Sequence, residues 1–221
     1  MNHIKITYEP KISPLLVVLS TIFTGILLIS NILANNLLNI GGIIIDGGTL
    51  VFSLTYVLSN IISEVYGYKW TRRTSWLSLL LSGVMALLIK LVSILPSPEW
   101  YDSSFALALD NTWRIVLASL SAWCLGMFIN DRVFHHLRLD FQKHKNVKGF
   151  VPRAIASSLC GNIVDTTVFC FVAFTFIVPF GYLLRMIIAG IIIKTAYELV
   201  LTPATYKLVK RVGEYEHRYN G

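Results

Sequence analysis

The sequence is poor in charged residues and in cysteine. Only 14% of its 221 residues are charged, against roughly 25% in an average soluble domain. With 55% hydrophobic residues and a mean hydropathy of +0.65, the composition is typical of a membrane protein. The composition therefore argues against a soluble enzyme.

Motifs for metal, redox and nucleotide chemistry are also missing. Cys124, Cys160 and Cys170 have no metal-ligand or redox spacing, so we expect buried apolar thiols and neither a metal nor another cofactor. The sequence lacks G-x-x-x-x-G-K-[ST], H-E-x-x-H and G-x-S-x-G. We therefore expect that the chain does not hydrolyse ATP and is not an enzyme.

Six apolar runs are each long enough for a helix that crosses the ~20-residue span of the hydrocarbon core. They cover about residues 14–38, 49–65, 74–95, 113–134, 152–178 and 185–209. Barrel strands would be about 10 residues long with alternating polarity. The runs therefore predict an all-α, polytopic membrane helix bundle, with residues 1–221 forming a single transmembrane domain.

Lysine and arginine follow the predicted crossings. They lie before the first run, after the second and fourth, and at the end of the chain, at Lys5, Lys11, Lys69, Arg72, Arg73, Arg138, Lys143, Lys145, Lys148, Arg153, Lys207, Lys210, Arg211 and Arg218. Residues 39–48 and 96–112 contain none. Because basic residues accumulate in cytoplasmic loops, both termini are predicted to be cytoplasmic, in a bacterial inner membrane. The net charge of +7 thus reflects topology, and no nucleic acid partner is expected.

Polar residues inside the apolar runs are the most informative feature. Such groups are costly in hydrocarbon unless they face a partner, a wet cavity or a ligand. They occur in pairs three or four residues apart, which share one helix face: Asn31 with Asn35, Asn60 with Glu64, Asn162 with Asp165, and Lys194 with Glu198. We interpret the four pairs as lining one shared polar cavity.

Structural alternatives to this interpretation stay open. Lys194 and Glu198 could form an ion pair on one helix face, and Glu64 could pair with Arg72 or Arg73. The two asparagines of the first run could join helices through hydrogen bonds worth ~0.6 kcal/mol each.

Asp165 differs from the other polar residues because no lysine or arginine lies within one turn of it. Its partner must therefore come from another helix or from a solute.

Three segments resemble the bacterial queuosine precursor transporters, six-helix membrane proteins of the vitamin uptake type. They are SNIISEVYGYKWTRR at 59–73, LGMFINDRVFHHLR at 125–138 and CGNIVDTTVF at 160–169. The resemblance implies import of a 7-deazaguanine base for tRNA modification: 7-cyano-7-deazaguanine, its aminomethyl relative, or queuine. At Asn60 many family members have aspartate, which makes a charge-carrying role there doubtful.

The polar pairs and the resemblance together define candidate substrate-binding residues: Asn162, Asp165, Asn60, Glu64, Asn35, Tyr56, Lys194 and Glu198. A carboxylate can accept both the ring N–H and the exocyclic amine of a guanine-like face. Asp165 or Glu64 could do this, while the amides of Asn162 and Asn60 could meet the carbonyl edge. Four aromatic residues lie at suitable depths to stack on the ring: Tyr56, Trp123, Phe169 and Tyr197.

The energy source and the partners are less constrained. A stand-alone carrier would use a gradient, whereas a substrate-capture subunit would dock on an external ATPase module. Such subunits often show an alanine-x-x-x-alanine surface on helix one, and the nearest approach here is Ser30 to Ala34. We expect the stand-alone carrier. The small residues Ser82 and Gly83 leave a homodimer open.

Overall fold

The computed structural model describes residues 13–96, 98, 100, 104–126 and 150–220, with backbone alone for 105, 150–158 and 217–220. Helices and strands follow in the order α1 (Pro14–Leu33), β1 (Leu37–Ile40), β2 (Ile43–Asp46), α2 (Gly47–Tyr66), α3 (Tyr68–Ser93), α4 (Ser104–Leu109), α5 (112–126 in the described part), α6 (Phe150–Phe174) and α7 (Phe180–Asn220). The prediction of a mostly helical chain is confirmed.

Three of these helices, α1, α2 and α3, are long and apolar enough to cross a membrane. The apolar part of α6, Leu159–Phe174, is shorter. Large aliphatic side chains on α1 and α3 point outward, among them Val17, Ile22, Leu80 and Leu87, as expected for a surface in contact with lipid. The count of six spans and the cytoplasmic termini stay predictions. His135, His136 and the basic residues from Arg138 to Lys148 lie outside the described residues.

Helix α1 begins at Pro14 because Ser13 caps it. The Ser13 side-chain oxygen accepts a hydrogen bond from the backbone N–H of Leu15 at 3.2 Å, and proline fits the first helical position. The predicted end of this helix at residue 38 is wrong, since it ends at Leu33. A turn through Asn35 then leads the chain into a strand.

A short antiparallel hairpin occupies the segment that was predicted to be a plain connection. Gly41 and Gly42 have φ values of 61° and 87°, the left-handed conformations that a two-residue hairpin turn requires. The strands pair with Ile40 opposite Ile43. Gly-Gly between apolar residues is the sequence signal for such a hairpin. Its effect is to deliver Asp46 to the start of α2.

Hydroxyl and amide side chains join α1 to α3 along one stripe. The contacts are Ser20 with Thr74 at 3.0 Å, Thr24 with Ser78 at 2.7 Å, and Asn31 with Ser82 at 3.2 Å. Small residues at this spacing let two helices pack closely in a membrane. The interhelical role considered for Asn31 is therefore observed, and Ser82 is buried here and not exposed to a second protomer.

Helix α7 is longer than the predicted run of 185–209. Its 41 residues extend about 60 Å at 1.5 Å per residue, which exceeds the hydrocarbon thickness of about 30 Å. Near its end the buried Glu216 carboxylate accepts hydrogen bonds from Ser13 and from the Tyr66 hydroxyl, the latter at 2.8 Å. These contacts hold the ends of α1, α2 and α7 together.

Arg114 on α5 closes the end of α6. Its Nε donates to the carbonyl oxygen of Val172 at 2.7 Å, and a terminal nitrogen donates to the carbonyl oxygen of Thr175. The last carbonyls of a helix lack partners within the helix, and a cation is favoured there by the helix dipole. Arg114 thus ties α5 to α6 next to the core cluster around Ile115 and Phe174.

We expect Arg114→Met to lower the stability of the purified protein by about 1–3 kcal/mol, because two carbonyls lose a charged donor. Thermal unfolding in detergent measures this. Lys90→Met is the matched control, since the Lys90–Asp110 ion pair is half exposed to solvent and such pairs contribute below about 1 kcal/mol. Equal losses in both variants would contradict the assignment.

Candidate functional site

A cavity lies among α1, α2, α3, α5, α6 and α7. Its empty space is about 770 Å³, including the part that opens outward. Its polar and aromatic lining includes Asn31, Asp46, Thr49, Phe52, Tyr56, Ser59, Ser75, Ser119, Trp123, Asp165, Phe169 and Lys194. Apolar walls with a few convergent polar groups are characteristic of small-molecule sites.

An ion pair between α6 and α7 stands at the centre of this lining. The Lys194 Nζ lies 2.7 Å from the Asp165 Oδ2, and the two side chains are 5% and 16% exposed. The Tyr56 hydroxyl donates to the same carboxylate oxygen at 3.4 Å. The other oxygen of Asp165 has no hydrogen-bond partner among the described residues. The ammonium is thus enclosed, whereas the carboxylate keeps one acceptor open to the cavity.

Close packing of α6 on α7 sets the geometry of this pair. Gly190 lies one turn before Lys194, and a Cβ at Gly190 would meet the Thr166 methyl group at 2.9 Å. A larger residue would therefore separate the two helices beside the ion pair. Thr166 in turn follows Asp165, so this close helix contact and the charged contact are adjacent.

The Phe52 ring forms part of the surroundings of the ammonium. The Lys194 Nζ lies 5.0 Å from the centre of the Phe52 ring, within the range of a cation–π interaction. Phe52 packs edge-to-face on Tyr56 at 5.4 Å. Both aromatics come from α2, so this helix contributes a ring and a hydroxyl to the same charged centre.

Asp46 is a lining residue that the sequence reasoning missed. It caps α2, where its Oδ1 accepts from the backbone N–H of Thr49 at 2.8 Å and its Oδ2 accepts from the Thr49 hydroxyl at 2.7 Å. Asp46 precedes the apolar span of α2. Burial raises the pKa of its carboxyl, while the hydrogen bonds from Thr49 and the charge of Lys194 oppose that shift. The signal was D-G-G-T, an N-cap aspartate with a donor three residues later.

The α6–α7 contact includes a second polar pair. The Asn162 side-chain amide donates to the Glu198 Oε2 at 3.1 Å, and neither residue lines the cavity. Lys194 and Glu198 were considered as an ion pair within α7. Each instead contacts α6: Lys194 binds Asp165, and Glu198 binds Asn162. Asn162 and Glu198 therefore support the site from outside its lining.

The predicted placement of Asn60 and Glu64 in the shared interior is wrong, because both are exposed and outside the lining. The cavity face of α2 runs through Phe52, Tyr56 and Ser59. The next residue on this face, four positions after Ser59, is residue 63. Successive residues of a helix are rotated by about 100° around its axis. Asn60 and Glu64 each follow this face by one residue and so point to its side.

Asn35 also lies outside the cavity lining. Its side-chain amide donates to the Thr112 hydroxyl at 3.0 Å and to the Ile32 carbonyl at 3.1 Å. It therefore joins the end of α1 to the start of α5.

Of the four aromatic residues considered as ring walls, three line the cavity: Tyr56, Trp123 and Phe169. Tyr197 does not. Trp123 is held edge-to-face by Trp76 at 4.9 Å, and Phe169 packs similarly on Phe174 at 6.0 Å. Two of the three aromatic lining residues are thus held in place by neighbouring rings.

A comparison with protein families matches residues 46–208 to the family described as "Putative vitamin uptake transporter". The matched range begins at Asp46 and includes Asp165 and Lys194, and it covers well over half of the chain. No curated protein and no solved structure matches.

A double-mutant cycle on the ion pair tests its geometry. Asp165→Asn and Lys194→Met each leave one buried charge without its partner, so each should destabilise the protein by up to about 3–5 kcal/mol. The double variant should be more stable than the sum of the two losses predicts, with a coupling of about 1–3 kcal/mol. Unfolding of the purified protein in detergent measures all three. Strict additivity would contradict a direct pair.

Proposed function

Because the chain belongs to the vitamin uptake transporter family, we propose that it imports a 7-deazaguanine base, a precursor of queuosine, across the bacterial inner membrane. The precursor is 7-cyano-7-deazaguanine, its aminomethyl relative or queuine. Membership in a transporter family agrees with the expectation that the chain is not an enzyme. The substrate class rests on the resemblance carried by G-N-x-x-D-T at 161–166 and by the segment 59–73.

The observation that carries the proposal is the partly open carboxylate of Asp165 between aromatic walls. A guanine-like face presents two neighbouring N–H donors, and one carboxylate can accept both. Tyr56 and Trp123 flank the space in which such a ring would lie. At this place the Asp165 carboxylate would accept the N–H donors of a planar heterocycle, and Tyr56 and Trp123 would pack on its faces.

Lys194 occupies the position at Asp165 that the N–H donors of the base would take. The ammonium neutralises Asp165, so the carboxylate is stable in the bundle without a ligand. Its cation–π contact with Phe52 lets Lys194 keep a favourable contact if it releases Asp165. Substrate binding is then an exchange of one set of N–H donors for another, which costs less than the uncovering of a bare charge.

The buried positions of Ser30 and Ala34 support a stand-alone carrier over a subunit that docks on an ATPase module. Both residues are at most 3% exposed and line the cavity. Ala34 packs against Gly48, where a Cβ would meet the Ala34 methyl group at 2.8 Å. This pair is therefore not available as a docking surface on α1.

Uptake by the purified chain alone tests this part of the proposal. Proteoliposomes that contain only this protein should accumulate labelled 7-deazaguanine base when a proton or sodium gradient is imposed. Accumulation that requires an added ATPase module would instead favour the subunit alternative.

Substitution of Asp165 tests whether this carboxylate binds the substrate. We expect Asp165→Asn to reduce uptake of the labelled base by about 10- to 100-fold or more, since a charged acceptor is worth about 1.5–3 kcal/mol. Glu64→Gln should leave uptake near the wild-type level because Glu64 lies outside the cavity. Membrane abundance of both variants is measured by immunoblot. Loss of uptake in Glu64→Gln with normal uptake in Asp165→Asn would reverse the assignment of the carboxylate.

Ligand-induced stabilisation tests the substrate class without transport. A 7-deazaguanine base at 100 times its Kd should stabilise the protein by about 2.7 kcal/mol, and the unfolding temperature in detergent should rise accordingly. Adenine, guanine and water-soluble vitamins serve as comparisons. A larger shift with a vitamin than with any deazaguanine would remove the base from the proposal while leaving the family assignment intact.

A further inference from the structure

A second concave surface lies at the start of α3. It shares no lining residue with the cavity, although its Trp76 packs on Trp123 of the cavity wall. It is lined by Lys69, Arg72, Arg73 and Trp76 and contains about 670 Å³ of largely open space. All three basic side chains are exposed, and Trp76 is 45% exposed. We call this surface the basic groove. The transport proposal assigns it no role.

The basic groove carries three positive charges, and within the described part of the chain no carboxylate forms an ion pair with them. Among the described residues, the ion pairs are Lys90 with Asp110 and Lys194 with Asp165. The alternative that Glu64 pairs with Arg72 or Arg73 is therefore not observed. Three cations on adjoining turns repel each other, so the groove favours an anionic occupant.

The groove lies where two apolar helices meet the aqueous boundary. Gly67, with a φ of 87°, separates the membrane-length helices α2 and α3. Trp70 lies beside the groove, with the Arg73 guanidinium 5.2 Å from its ring centre. Tryptophan is enriched at the level of the lipid headgroups. The basic side chains are thus placed at headgroup depth.

One face of α3 changes in chemistry along its length in the same order as a phospholipid. Arg72 and Arg73 each lie three or four residues from Lys69 and from Trp76, so each arginine is a neighbour of both on the helix surface. Leu80 and Leu87 continue this face, and they are 62% and 59% exposed. The basic side chains correspond to the phosphate of a phospholipid, the ring of Trp76 to the interfacial glycerol, and Leu80 and Leu87 to an acyl chain.

We propose that the basic groove binds the phosphate headgroup of an anionic phospholipid, whose acyl chain lies along Leu80 and Leu87. The planar guanidinium groups of Arg72 and Arg73 can each take a phosphate through two parallel N–H donors. Lys69 adds a point charge. The lipid holds the α2–α3 junction at the interface, and its binding does not depend on which base is transported.

Native mass spectrometry of the full chain, released from detergent with added lipid, tests the proposal. The wild type should retain phosphatidylglycerol about 10-fold better than phosphatidylcholine, in line with the attraction of basic clusters to anionic lipid. Arg72→Gln/Arg73→Gln should reduce retention of phosphatidylglycerol to the level of phosphatidylcholine. Lys207→Gln/Lys210→Gln, which removes two exposed charges from α7 outside the groove, should retain phosphatidylglycerol as the wild type does.

Three outcomes would overturn the proposal: equal retention of the two lipids by the wild type, equal losses in the two double variants, or displacement of the lipid by millimolar inorganic phosphate. The last would identify a site for soluble phosphate. If the groove variant unfolds, Arg72→Gln and Arg73→Gln are measured singly. Retention unchanged in both single variants would also overturn the proposal.

Discussion

The ion pair between Lys194 and Asp165 is the contact on which the arrangement of the interior depends. A lone charge at this depth would be costly, and even a pair repays its desolvation only when further groups complete it. The bundle supplies them: the Tyr56 hydroxyl for the carboxylate and the Phe52 ring for the ammonium. Helices α2, α6 and α7 are therefore oriented around one charged centre.

The hairpin and the glycines beside it determine how closely the other helices approach that centre. Gly48 packs against the backbone of Ser30 with no room for a side chain, so α1 and α2 meet closely where the cavity begins. The hairpin places Asp46 at the same point. Hydroxyl contacts join α1 to α3, which also lines the cavity. The polar groups of α1 and α3 are in this way largely satisfied by each other, which leaves the open acceptor of Asp165 as the distinctive feature of the cavity.

Helix α3 has one face that packs inside the bundle and another face that points outward. Its inward face carries Thr74, Ser78 and Ser82, which are buried against α1. Its outward face carries the basic groove and then leucines. A period of about 3.6 residues is sufficient to separate these faces, so the proposed base and the proposed lipid would contact different residues, and the two sites meet only where Trp76 packs on Trp123.

Much of the local structure could be predicted from the sequence. The apolar runs mark the helices, and Gly41-Gly42 between apolar residues is the signal of a hairpin. The spacing of Asn162 and Asp165 predicted that both residues line the cavity, and only Asp165 does. The absence of a basic neighbour within one turn of Asp165 required a partner from another helix or from a solute, and Lys194 of α7 is that partner. In each case the information is local, because capping, turns and helical faces depend on residues within four positions of one another.

Only the tertiary structure decided which polar groups meet. Asp165 and Lys194 are 29 positions apart, and Asn60 with Glu64 has the same spacing as Lys194 with Glu198 yet lies on an exposed face. Periodicity states which residues share a face, whereas the direction of that face depends on the rotation of the helix about its own axis. Packing against neighbouring helices, through close contacts such as Gly190 on Thr166, sets that rotation.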